Sequence, residues 1–274
     1  MCEVSAGSDK RGDMLKLIGV LSSAALMGVL TGCGALVSFQ SAKLAESDTP
    51  LTISGLVAKP PSDGPFPAVV LLHTCGGLRP HVTTDWTNYL TGLGYVTLSV
   101  DSFSPRGIKR CPTPLARDRR ELSRDAYGAL EYLARLPFID KGRIGVMGFS
   151  LGGNTIDYFA GQDFKSPTGL NFKAAVSLYG DCRNLSGYTK TIPTTVIIGD
   201  LENEDRLAPC KTLAKQSPPS IKVHVLSGTY HGFDQDDITT VRPDSAGNPM
   251  LYSGEATKMA REITKPFLAQ YLGK

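Results

Sequence analysis

The stretch Gly148-Phe-Ser-Leu-Gly-Gly153 follows directly on the apolar run Ile144-Gly-Val-Met147 and leads into a helical pattern. A strand that passes through a glycine-flanked serine into a helix has the context of a nucleophile elbow, a turn sharp enough to lift the serine hydroxyl clear of the sheet edge. The helix N-terminus behind it favours negative charge developing there. Glycine-rich turns after strands also cradle phosphates, but the chain has no Gly-x-x-x-x-Gly-Lys-[Ser/Thr], and the spacing here is not Gly-x-Gly-x-x-Gly. Ser150 is therefore the candidate nucleophile.

Outward from the elbow, Phe66-Pro-Ala-Val-Val-Leu-Leu72 is continuously apolar, as expected of a central strand buried on both faces. Similar runs recur at 95–100, 174–178, 195–198 and 221–226, whereas Leu51 to Val57 alternates like a half-exposed strand. Periodicity and end signals predict helices over Thr83 to Leu93, Leu115 to Leu136 and Ala256 to Leu272. Strand alternating with helix implies an α/β fold, a doubly wound, mostly parallel sheet flanked by helices, over residues 51–274. About a dozen residues separate the strand ending near Tyr179 from the one starting near Thr194, too few for a large cap domain.

The 274 residues, 41% of them hydrophobic, suffice for one domain with a substantial core. The formal charge is +3, and the 29 Lys and Arg are scattered among 26 Asp and Glu, so no basic stripe exists to bind nucleic acid.

A serine hydroxyl needs a base to take its proton, and histidine's titration range suits it. In the α/β-hydrolase fold the chain order is serine, acid, histidine, which leaves His224 and His231 of the four histidines. His224 alternates with its neighbours inside a strand. His231 lies beyond that strand in Gly228-Thr-Tyr-His-Gly-Phe-Asp234 and is the candidate base. The acid belongs after the penultimate strand, where Gly199-Asp-Leu-Glu-Asn-Glu-Asp-Arg206 offers four carboxylates that pattern alone does not separate.

The N-terminal region reads as an address. Lys16 precedes an apolar stretch from Leu17 to Leu30 and then Leu30-Thr-Gly-Cys33, which resembles the lipobox of bacterial lipoproteins. We expect residues 1–32 to form a signal peptide, with translation starting at Met14, and residues 33–50 to form a tether. The resemblance implies acylation of Cys33 and a protein exported and lipid-anchored to the bacterial cell envelope, at the outer membrane or periplasmic face. Two or three acyl chains hold a protein on a bilayer almost permanently. Export makes disulfides among Cys75, Cys111, Cys182 and Cys210 plausible, and four cysteines allow three pairings.

The elbow, His73-Thr-Cys-Gly-Gly-Leu78, Val100-Asp-Ser-Phe-Ser-Pro-Arg-Gly107 and Tyr230-His-Gly-Phe-Asp234 together resemble the dienelactone hydrolase family, over nearly all of residues 51–272. The family's acid stands fourth in a Gly-x-x-Asp motif, which falls on Glu202, with Asp205 as the alternative and Asp200 as a lesser one. The oxyanion hole falls on the backbone amides of Cys75 and Leu151. In the fold so implied, the loops holding Cys75 and Cys111 follow neighbouring strands, as do those holding Cys182 and Cys210, so these two pairs are the expected disulfides.

The name-giving dienelactone hydrolases use a cysteine nucleophile and hold a substrate carboxylate with two arginines. Here the nucleophile is serine, Arg106 approximates one arginine as a substrate-binding candidate, and Gln235 stands where the other would be. The elbow serine and the resemblance together lead us to expect a serine hydrolase that cleaves an ester, lactone or related acyl bond of a small substrate through an acyl-enzyme, and with no histidine and cysteine set at metal-ligand spacing we expect no metal or organic cofactor. The alternatives are a peptidase or thioesterase on the same triad, or a catalytically inactive envelope binding lipoprotein.

Overall fold

The computed structural model describes residues 34–111, 118–161, 164, 166, 168–185 and 192–273; the expected signal peptide and Cys33 lie outside the described residues. Eight strands form one sheet: β1 (Ala35–Gln40), β2 (Thr52–Ala58), β3 (Phe66–Leu72), β4 (Val96–Asp101), β5 (Ile139–Phe149), β6 (Ala175–Leu178), β7 (Thr194–Gly199) and β8 (Ile221–Leu226). Their order is β1-β2-β4-β3-β5-β6-β7-β8. The pairs β1–β2 and β2–β4 are antiparallel, and every pair from β4 across to β8 is parallel. The helices are α1 (Thr87–Gly92), α2 (Arg119–Ala134), α3 (Leu151–Ala160), α4 (Glu204–Gln216) and α5 (Gly254–Leu272).

The unbroken apolar run of β3 is explained by a core on each face. Ala68, Val70 and Leu72 point into one cluster with Tyr127 and Leu130 of α2, Ile156 and Phe159 of α3 and Leu207 and Leu213 of α4. Val69 and Leu71 enter the other, with Trp86, Leu90 of α1, and Ala260, Leu268 and Leu272 of α5. A strand that feeds two cores has no polar side to show, so period-two alternation vanishes from its sequence. Strand β2, beside the edge, keeps the alternation.

Residues 33–50, expected as a tether, are built into the domain from Ala35 onward. β1 pairs residue for residue with β2, from Ala35 opposite Val57 to Gln40 opposite Thr52. The chain after it is clasped by α2: Ala42 N–H donates to the Arg124 carbonyl (2.8 Å), the Arg124 guanidinium donates to the carbonyls of Ala42 and Thr49, and Arg120 pairs with Asp48. A Cβ on Gly128 of α2 would lie 2.2 Å from the Gln40 carbonyl oxygen, so the close approach requires glycine. The sequence concealed this because only Phe39 of β1 is buried and the clasp is made by charged side chains.

Helix α2 starts at Arg119, where Asp118 caps it by accepting from the Arg120 and Glu121 amides, later than the expected Leu115. The helix expected from Thr83 opens as a π-type turn over His81–Trp86 before α1. A two-stranded hairpin, β9 (Arg242–Pro243) with β10 (Pro249–Met250), lies between β8 and α5. Among the described residues, no helix is long and apolar enough to cross a membrane.

Candidate active site

Ser150 sits between β5 and α3 with φ 53° and ψ −105°, a backbone conformation that side chains rarely adopt. The strain persists because the surroundings over-determine it. Ser150 N–H donates to the Leu178 carbonyl (3.0 Å), Gly152 N–H to the His73 carbonyl (3.1 Å), and Asn154 N–H to the Ser150 carbonyl (2.8 Å). Two glycines make the turn fit. A Cβ on Gly148 would lie 2.3 Å from the Gly152 carbonyl oxygen, and one on Gly152 would lie 2.2 Å from that of Leu72.

His231 follows β8 and is almost wholly buried. Its Nε2 lies 2.9 Å from Ser150 Oγ, and its Nδ1 lies 2.8 Å from Glu202 Oε1. A carboxylate can only accept, so Nδ1 carries the ring proton and Nε2 is left to accept from the serine hydroxyl. The other Glu202 oxygen accepts from Arg206 Nε (3.2 Å), and Arg206 Nη2 donates to the Tyr179 carbonyl (2.6 Å). The loops carrying acid and histidine are stitched together, since Leu201 N–H donates to the Thr229 carbonyl (3.0 Å).

A second buried carboxylate steadies the imidazole from behind. The Tyr179 ring meets the His231 ring edge-on at 4.8 Å, and Tyr179 donates its hydroxyl to Asp234 (2.7 Å), which also accepts from Trp86 Nε1 (2.8 Å). Burial, reinforced by the Asp234 charge, pushes the Tyr179 phenol well above its ordinary range, so it stays a donor. Sequence reasoning missed this brace; its only trace was Asp234 three residues after the histidine.

The remaining candidates separate cleanly. Asp205 is exposed and paired with Arg183, while Asp200 accepts from Ser227 Oγ and the Thr229 amide. His224 lies on β8, half-buried, where burial and then Lys222 depress its basicity. Arg106, proposed from sequence as a substrate contact, is instead a structural cation. Its guanidinium donates to both oxygens of the buried Asp125 (2.7 and 3.0 Å) and to the Ser102 carbonyl (2.7 Å), and it does not line the cleft around Ser150. The reason is that Asp125 of α2 is wholly buried and requires a counter-charge.

Both expected disulfides are present, Cys75–Cys111 and Cys182–Cys210. The first anchors a tight turn in which Thr74 accepts from the amides of Gly76 and Gly77, whereas the Cys75 N–H finds no acceptor among the described residues. Leu151 provides the first N–H of α3, one of the donors a helix leaves unpaired.

A cleft of about 410 Å³ opens over Ser150 and His231, lined also by Cys75, Gln235, Asp244 and Met250. Its far wall is the β9–β10 hairpin, which is tied to the site by the His231 amide donating to the Pro249 carbonyl (3.0 Å).

A strained serine at the C-terminal edge of a parallel sheet, in line with a buried histidine and a carboxylate, defines an α/β-hydrolase. The model of the dienelactone hydrolase family matches residues 53–272, and the chain belongs to that family. Its sequence is 32% identical over 110 residues to Esterase FrsA of Klebsiella pneumoniae (strain 342), an alignment covering 37% of this chain. The chain spans 23% of the length of the curated relatives it matches. In fold it is similar to a dienelactone hydrolase from Anabaena variabilis ATCC 29413 (TM-score 0.60, 19% identity, 87% of this chain and 99% of that one). It is similar also to P91, a dienelactone hydrolase-like promiscuous phosphotriesterase from metagenomic libraries (TM-score 0.61, 18% identity, 88% of this chain and 100% of that one).

Proposed function

We propose that this protein is a serine hydrolase that cleaves ester or lactone bonds of small substrates through an acyl-enzyme on Ser150. The observation that carries this reading is the continuous hydrogen-bonded line from Glu202 through His231 to Ser150. As the serine oxygen bonds to the substrate carbonyl carbon, its proton passes to His231 Nε2. Glu202 holds the imidazole in the required tautomer and offsets its positive charge. The Cys75 and Leu151 amides receive the oxyanion. Nε2 then protonates the leaving alcohol, and water repeats the sequence to free the acid. The modest cleft suits a small acyl group. Cys33 carries the lipid anchor that holds the mature protein at the cell envelope; unchanged membrane fractionation of Cys33→Ser would remove this part of the proposal.

The chemical assignment is tested with a fluorophosphonate probe on the parent protein and on Ser150→Ala. Labelling of the parent alone is the expected result. Equal labelling of both would defeat the elbow assignment, and labelling of neither would favour a binding protein.

A further inference from the structure

Ser150 and Glu202 are not the only groups close to His231. The carboxylate of Asp244, on the turn between β9 and β10, places Oδ2 3.7 Å from His231 Nε2, the ring atom that faces the serine. The approach is built. Asp244 Oδ1 accepts from the amides of Ala246 (2.7 Å) and Asn248 (2.9 Å), and Oδ2 accepts from Asn248 Nδ2 (2.8 Å). The turn is fastened in turn to the acid loop, because Asn203 Nδ2 donates to the Gly247 carbonyl (3.1 Å) and to Asn248 Oδ1 (3.2 Å). Asp244 is only 14% exposed in its side chain and lines the cleft beside Ser150.

We propose that Asp244 positions the water that hydrolyses the acyl-enzyme. This rests on the acyl-enzyme reading of Ser150 given above. Acylation delivers a nucleophile with a single O–H, already aimed at Nε2 by the elbow. Water arrives with two, and a second acceptor beside Nε2 orders its attack further by holding the other. Two acceptors 3.7 Å apart can each be reached by one water within ordinary hydrogen-bond lengths. With one O–H on Nε2 and the other on Oδ2, a lone pair of that water is left for the acyl carbon.

The step balances. The O–H facing Nε2 breaks, the water oxygen bonds to the acyl carbon, and the tetrahedral intermediate collapses by breaking the bond to Ser150 Oγ. Nε2 returns its proton to Oγ, and the second water hydrogen leaves on the product acid. Asp244 is suited to accept throughout. Burial alone would raise its carboxyl, but His231 and the donors from Asn248 and Ala246 outweigh that and hold it below the usual carboxylate range.

The distinguishing measurement is the competition between water and methanol for the acyl-enzyme. An alcohol brings one O–H, so it gains nothing from a second acceptor. With p-nitrophenyl acetate in buffered methanol, the ratio of methyl acetate to acetate, read by proton NMR, should rise about tenfold in Asp244→Asn. That is the effect of one hydrogen bond to a charged acceptor. Asp244→Ser, whose hydroxyl can still accept from the Ala246 and Asn248 amides, should shift the ratio the same way and covers the case in which the asparagine variant does not fold. A role confined to holding the hairpin or His231 would slow both reactions together and leave the ratio at the parent value, overturning the proposal. Absence of any acyl-enzyme in the parent, read by mass spectrometry, would remove the reading of Ser150 and this proposal with it. An acyl-enzyme with an unchanged ratio would remove only the latter.

Discussion

The loops after β3 and β8 each bury a histidine at the C-terminal edge of the sheet, with glycine close behind it, and the two rings behave differently because of their partners. His73 donates from Nδ1 to the Thr74 carbonyl (2.7 Å) and accepts at Nε2 from the Ser102 amide (3.3 Å), so both nitrogens are committed to backbone. Burial pushes it below its ordinary basicity, and its neutral ring serves as a brace between the turns after β3 and β4. His231, equally buried, has a carboxylate on one nitrogen and a serine hydroxyl on the other. Burial by itself makes a histidine inert. A charged partner that holds one tautomer, and a mobile proton on the far side, make it a base.

The sharpest way to break this comparison is to exchange each ring for an amide. His231→Gln should lower ester turnover by about 10⁴-fold or more, as expected when one member of a cooperating triad is removed. His73→Gln should change turnover by less than about tenfold and lower stability by about 1 to 3 kcal/mol through imperfectly replaced buried hydrogen bonds. Comparable turnover losses in the two variants would show that the partners do not set the roles.

The acid gives the next largest contrast. Glu202→Gln should cost about 10² to 10⁴ in kcat, because the imidazole loses its tautomer-fixing acceptor. Asp205→Asn should fall within about twofold of the parent, since an exposed ion pair contributes little. The reverse ranking would transfer the acid to Asp205.

Arg106→Ala tests the structural cation. It leaves the Asp125 carboxylate buried and uncompensated and should destabilise the fold by about 3 kcal/mol in denaturant titrations. KM for small esters should stay within about twofold of the parent; a large rise in KM with unchanged stability would restore Arg106 to the substrate.

The smallest effect concerns pH. His73 and His81 are both pushed below the ordinary histidine value of 6.5 by burial. At these two rings the unfolded chain therefore binds protons that the folded chain refuses, and their contribution to stability should fall as the pH drops below about 6.5. His73→Asn, less stable at pH 7, should lose less than the parent between pH 7 and pH 5. An identical acid slope in both proteins would mean that His73 is not held neutral.

The sequence alone was enough for the elements whose cause is local or periodic. The elbow was legible because a turn this tight admits only glycine at positions 148 and 152, and β3 because a strand feeding two cores must be apolar throughout. The base was legible because chain order left two histidines and strand alternation removed one. Contacts between distant segments had no such signature. The family resemblance put the acid on Glu202 with Asp205 as the alternative, and the tertiary structure decided between them, since the acid is chosen by which oxygen reaches His231 across 29 residues of chain. It alone turned Ala35 to Thr49 from a tether into a strand and clasp, committed Arg106 to Asp125, and brought Asp244 to the face of the imidazole. Strand β1 escaped notice because it buries only Phe39, and the other three share one physical reason. A charged side chain carries no periodicity, so its role is fixed by whichever counter-charge or carbonyl the fold delivers to it.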